Sequence, residues 1–202
     1  RDGRLAKAEA KRIDFAEARK FWAFRKPSEP VLPEVRAGAW PREDLDFFIL
    51  AQLETNQLKP APAAAKRTLI RRATYDLTGL PPTMEEIADF LADESPDAFR
   101  RVVDRLLASP HYGEKWGRHW LDVARYADSN GLDENLAYVN AFRYRNYVID
   151  AFNEDKPYDQ FVREQIAGDL LKPSGDEPET ARHARHIATG FLSVGAKMLA
   201  ED

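Results

Sequence analysis

One stretch, SPHYGEKWGRHWLDVARYADSNGLDE from Ser109 to Glu134, holds most of the side chains that could do chemistry. Its apolar spacing predicts a long helix that starts at Ser109-Pro110, a serine cap with proline in the first helical position. The turn signal Asp128-Ser129-Asn130-Gly131 ends it. His111, Trp116, His119, Trp120, Asp122, Arg125 and Tyr126 all ride on that helix. His119 and Asp122 lie three apart, so they share a face. A carboxylate bonded to one imidazole nitrogen fixes the tautomer and raises the basicity of the other. Such a pair can orient a general base or a metal ligand. Arg118, four before Asp122, offers a competing ion pair. The plainer alternative is that the aromatic rings and His119 pack in the core while the charges pair or solvate.

The bend after the helix is rich in oxygen ligands. Asp128, Asp133 and Glu134 are the candidates for a divalent metal, although the EF-hand pattern fails: Tyr126 stands in the first ligand position and Ala137 in the twelfth. Gly113 and Gly117, four apart, cost about 1 kcal/mol each relative to alanine in a helix. Close helix–helix approach explains such a cost, and so does close approach of a flat ligand. His183 and His186 lie three apart on a polar face opposite Ile187 and read as a solvated pair. Arg71-Arg72 and the run Tyr138–Tyr147 could stack on and pair with nucleic acid, but a net charge of -4 and many neighbouring carboxylates argue against that partner. No Gly-rich phosphate loop, HExxH or GxSxG motif is present.

The elements that must position these residues read as helices almost throughout. The chain has 202 residues, 44% apolar and 32% charged, an ordinary soluble composition able to bury a core. It has no cysteine, which excludes disulfides, thiolate zinc sites and a CxxCH haem attachment within these residues. No apolar run is long enough for a membrane span, and the first residues lack the apolar centre of a secretion signal. Proline, glycine and serine punctuate helical spacing near Lys59-Pro60, Gly79-Leu80-Pro81, Ser95-Pro96 and Ser109-Pro110. Thr83 with Glu86 forms a capping-box pattern, and Ser95-Pro96 reads as a second serine cap. Strand alternation never persists. The expected fold is all-α: an irregular array of six to eight short helices with an extended proline-rich N-terminal arm. Residues 1–39 are expected to form a helix and wrapping arm or linker, anchored by Phe21, Trp22, Phe24 and Trp40, and 40–202 a helical domain.

The segments WPREDLDFFILAQLE, RTLIRRATYDLTGLPPTMEEIADFL, VVDRLLASPHYGEKWGRHWLDVARYADSNG and FNEDKPYDQFVREQIAGDLL, in this order and spacing, closely resemble a planctomycete and verrucomicrobial family. It is a cytochrome-associated domain of unknown function, the second of the PSCyt regions. The resemblance runs from about Phe21 to the end. It implies an exported, periplasmic or extracellular protein joined to a c-type cytochrome region. In the family the stretch resembling GAKMLAED is followed by a CxxCH segment, so this chain is expected to be the front of a larger domain. The implied function is redox or electron transfer in the complete protein. Haem c would be its cofactor, and the rest of the polypeptide or a cytochrome domain its partner. His111 or His119 could then supply an axial ligand, with Trp116, Trp120 and Tyr126 lining the haem edge. Two alternatives stay open. One is a scaffold that does no chemistry. The other is a carboxylate- or metal-dependent carbohydrate site in which Asp122, Asp128, Asp133 and Arg125 grip the substrate and tryptophan stacks on a sugar ring.

Overall fold

A computed structural model describes residues 14–131, 136–172, 175 and 178–195. Among them are nine α-helices and no strand, apart from one isolated bridge between Ser129 and Ala137. The all-α expectation holds. The chain divides into two compact units, residues 1–62 and 63–202.

In the first unit, α1 spans Phe15–Ala18 and α2 spans Asp44–Thr55, with residues 26–35 irregular between them. The Glu54 carboxylate of α2 fastens this arm by accepting the backbone N–H of Arg36 at 2.9 Å and of Ala37 at 3.0 Å. Those two bonds hold its pKa below the usual value. Trp40 lines a cavity with Leu50 of α2. Phe21, Trp22 and Phe24 pack on one another and are all exposed.

The second unit holds α3 (Lys66–Thr78), α4 (Met84–Ala92), α5 (Ala98–Leu107), α6 (Pro110–Val123), α7 (Ala141–Asn153), α8 (Tyr158–Ala167) and α9 (Glu179–Ala188). A 3-10 turn at Thr189–Leu192 follows α9. Two cores form. Ile70, Phe90, Ala98, Val102 and Leu106 build the first, between α3, α4 and α5. The second, around α6 to α9, gathers Tyr144, Tyr147, Val148, Ala151, Phe161 and Ala188, with Trp120 packed against them. The expected terminators hold. Gly79 closes α3 at φ +74°, a left-handed geometry that favours glycine. Thr83 and Glu86 exchange both bonds of the capping box, at 3.1 and 2.8 Å. Ser109 caps α6, with Pro110 as its first residue.

Two local expectations need correction. Ser95 is no cap: α5 starts at Ala98, and the Ser95 hydroxyl instead accepts from the Arg101 guanidinium at 2.6 Å. The long helix also stops early. α6 ends at Val123, and Arg125 takes a left-handed φ of +56°. The Tyr126 N–H then bonds back to the Leu121 carbonyl at 2.9 Å, a helix-terminating reversal without glycine.

Candidate functional site

α6 is the hub of the second unit, packed along α7 and against α3. Its glycines explain the close approach. A Cβ on Gly113 would stand 2.7 Å from the Asn153 side chain and closer still to the Ile149 carbonyl oxygen of α7. The Gly113 N–H donates to Asn153 Oδ1 at 2.8 Å, while Asn153 Nδ2 donates to the Pro110 carbonyl at 3.2 Å. Gly117 is looser, because its Cβ would meet Val148 at an ordinary 3.4 Å. Helix–helix packing thus accounts for Gly113.

Turning the glycines inward splits the expected site residues into two sets. Trp120 and Tyr126 face the interior, half-buried. His111, Trp116, His119, Asp122, Arg125 and Asp128 lie on the exposed side. His111 Nδ1 pairs with Glu114 at 2.8 Å. The His119 ring stands 5.4 Å from Trp116 and forms no hydrogen bond or ion pair. No bond joins His119 or Arg118 to Asp122, and none links Asp122, Arg125 and Asp128. Asp128 accepts the Tyr126 hydroxyl at 2.5 Å. Burial, then that carboxylate, pushes Tyr126 up to about 12. Asp133 and Glu134 lie outside the described residues. Among the described residues no three His, Asp or Glu side chains converge to hold a metal ion. The described residues on either side of it, 130 and 136, are tied together. Buried Asn130 accepts the Leu136 N–H on its side chain at 2.9 Å and donates its own N–H to the Leu136 carbonyl at 3.0 Å.

Behind Trp120 lies a buried polar network that the sequence reading missed. Trp120 Nε1 donates to Gln165 Oε1 at 2.8 Å and to the Tyr144 hydroxyl at 3.0 Å, and that hydroxyl donates to the same Gln165 oxygen. Beside it, the Glu164 carboxylate accepts from Tyr147 at 2.7 Å and from Lys156 and Gln160 at 2.8 Å each. Burial alone would raise the Glu164 pKa; the three donors outweigh it and hold the carboxyl below its usual value. Burial pushes the Tyr144 hydroxyl up to about 12 and raises Tyr147 further, with help from Glu164. The signal was available but unlike a usual core pattern. Gln160, Glu164 and Gln165 sit on α8 within one turn and a half, flanking Phe161.

In front of the same indole is a cleft of about 220 Å³. Tyr112 and Trp120 of α6, Phe152 of α7, and Tyr158 and Phe161 of α8 wall it. Trp120 and Phe161 meet edge to face at 4.9 Å. A wider groove of about 700 Å³ opens between the start of α7 and the end of α9, where His186 and Arg143 line it. His183 is exposed and pairs with Glu179 at 3.7 Å, as the solvated reading expects.

No helix of the described residues is long and apolar enough to cross a membrane. No curated protein and no solved structure matches the chain. A family match covers residues 44–202, in the colinear segments that carried the resemblance. The chain belongs to that family, PSCyt2, described as a protein of unknown function (DUF1549) and associated with planctomycete cytochrome proteins.

Proposed function

We propose that this chain is the helical section of an exported, cytochrome-associated protein that works in redox or electron transfer, and that the outer face of α6 docks its haem-bearing part. One observation carries the reading: α6 turns its glycines inward and leaves Trp116, His119 and Val123 outward, with Val123 69% exposed. An exposed indole is a residue type that anchors interfaces, and here an unbonded imidazole and an exposed aliphatic lie on the same helix face beside it. The fit to haem is partial. Without cysteine, this chain has no thiol for covalent attachment. His119 shares the exposed face with Trp116 and Val123 and could approach an iron held elsewhere, whereas His111, its Nδ1 bonded to Glu114 and its Nε2 open, lies about two turns away at the start of α6. The haem would supply electron exchange. This chain would supply the docking face and the indole beside it.

The test titrates a ferric c-type cytochrome domain of a family member into the isotope-labelled chain, recording amide NMR and the Soret band. Resonances of Trp116, His119 and Val123 are expected to shift. Any Soret change is expected to vanish in His119→Ala and persist in His111→Ala. Shifts without a Soret change would remove the ligand role and leave a scaffold. No response on α6 would sink the docking reading.

A further inference from the structure

The cleft in front of Trp120 shares none of its lining residues with the docking set Trp116, His119 and Val123, and has its own chemistry. Its ring pairs form a box rather than a stack: Trp120 and Tyr158 are inclined at 80°, Trp120 and Phe161 at 69°, and Phe152 and Phe161 at 71°. A stack would leave a slot for a flat ring, whereas a box suits a compact, rounded group. Aromatic faces carry negative charge density and attract cations. The volume, about 220 Å³, is below the roughly 300–1,000 Å³ of pockets for drug-sized ligands, so the occupant is small.

The charges at the cleft have the matching sign. Asp155 lines it, is exposed, and forms no side-chain hydrogen bond or ion pair. A left-handed backbone, φ +50°, holds it at the joint between α7 and α8, a conformation aspartate tolerates better than most residues. Lys156 also lines the cleft, but its ammonium is committed. It bonds Glu164 at 2.8 Å and lies 4.8 Å from the centre of the Tyr147 ring. With Lys156 offset by Glu164, the Asp155 charge remains. The Trp120 hydrogen bonds to Gln165 and Tyr144 fix the indole before any ligand arrives, so little is lost in ordering it.

We propose that this cleft binds a quaternary or methylated ammonium group, with Trp120, Tyr158 and Phe161 as walls and Asp155 as counter-charge. The test compares choline with 3,3-dimethylbutan-1-ol, its uncharged carbon isostere, by NMR titration of the 202-residue chain. Choline is expected to bind about tenfold tighter, the worth of a desolvated cation–π contact. The Trp120 indole N–H resonance is expected to respond. Asp155→Asn keeps a residue that accepts the left-handed backbone, and is expected to weaken choline severalfold while leaving the alcohol unchanged. Tyr158→Ala, at a side chain 70% exposed, is expected to weaken both without unfolding the chain. Equal affinity for the isosteric pair, a response away from Trp120, or binding of methyl glucoside in place of choline overturns the proposal. So does the absence of choline binding.

Discussion

The second unit has two cores of different chemistry. The core of α3, α4 and α5 is built from aliphatic residues and one phenylalanine, and its charged pairs stay outside: Arg101 with Asp93 and Arg105 with Glu86. Lys66 helps seal it by donating to the Asp93 carbonyl at 2.5 Å, beyond the last turn of α4. The core of α6 to α9 instead buries three tyrosine or tryptophan hydrogen-bonding groups, a glutamine and a carboxylate. Burying polar groups is unfavourable unless each is bonded, and a fully bonded set specifies one arrangement of rings. The first core holds the helices together. The second also fixes the orientation of an indole that lines a cleft.

The sharpest way to break this contrast is Glu164→Ala. Glu164 is 2% exposed and Lys156 has only 14% of its side chain exposed, so the substitution strands a largely buried ammonium. A loss of about 3–5 kcal/mol is expected, read as a lower midpoint in urea unfolding. Arg105→Ala, at an exposed pair beside the other core, provides the reference and is expected to cost under about 1 kcal/mol. Equal losses from the two would erase the distinction.

A smaller effect separates the two glycines of α6. Gly113→Ala is expected to cost about 1–3 kcal/mol by overpacking against α7. Gly117→Ala meets only ordinary contacts, and is expected to be neutral or to gain up to about 1 kcal/mol of helix propensity. Thermal unfolding of both variants decides it, and a destabilised Gly117→Ala would show that α7 sits nearer than described.

The smallest effect, at the onset of its range, is alkaline. Tyr126 and Tyr144 are raised from 10.0 to about 12, so the unfolded chain gives up these protons first. Their contribution is complete below pH 10 and is lost as pH rises toward 12. The core of α3, α4 and α5 buries no tyrosine. Hydrogen exchange in this window is expected to quicken around Tyr144 before it quickens around Val102, and the reverse order would count against the polar network.

Helices and their ends were largely legible in the sequence, because caps and breakers act locally. Gly79, Thr83 with Glu86, and Ser109-Pro110 each do what their type predicts. Ser95-Pro96 misled because Arg101, six residues on, takes the serine oxygen from the backbone. The site was less legible. Spacing places the candidate residues on one helix, but two glycines decide which side is covered, and they send His119 and Trp120 to opposite surroundings. Glu164 and Gln165 resemble surface residues in a helix pattern. Only the meeting of α8 with Trp120, Tyr144 and Tyr147 shows that they lie inside. Lys156 and Glu164 are paired by the turn into α8, which spacing alone does not reveal.

Asn153 has a consequence for how this unit can be taken apart. Its amide oxygen, near the end of α7, gives the Gly113 N–H in the opening turn of α6 an acceptor from outside that helix, and its amide nitrogen adds a bond to the Pro110 carbonyl. A synthetic peptide spanning Ser109 to Val123 would therefore fray at its head, while one reaching past Asn153 could close it. Neither helix is a transplantable part, and the hairpin they form is the smallest piece worth grafting.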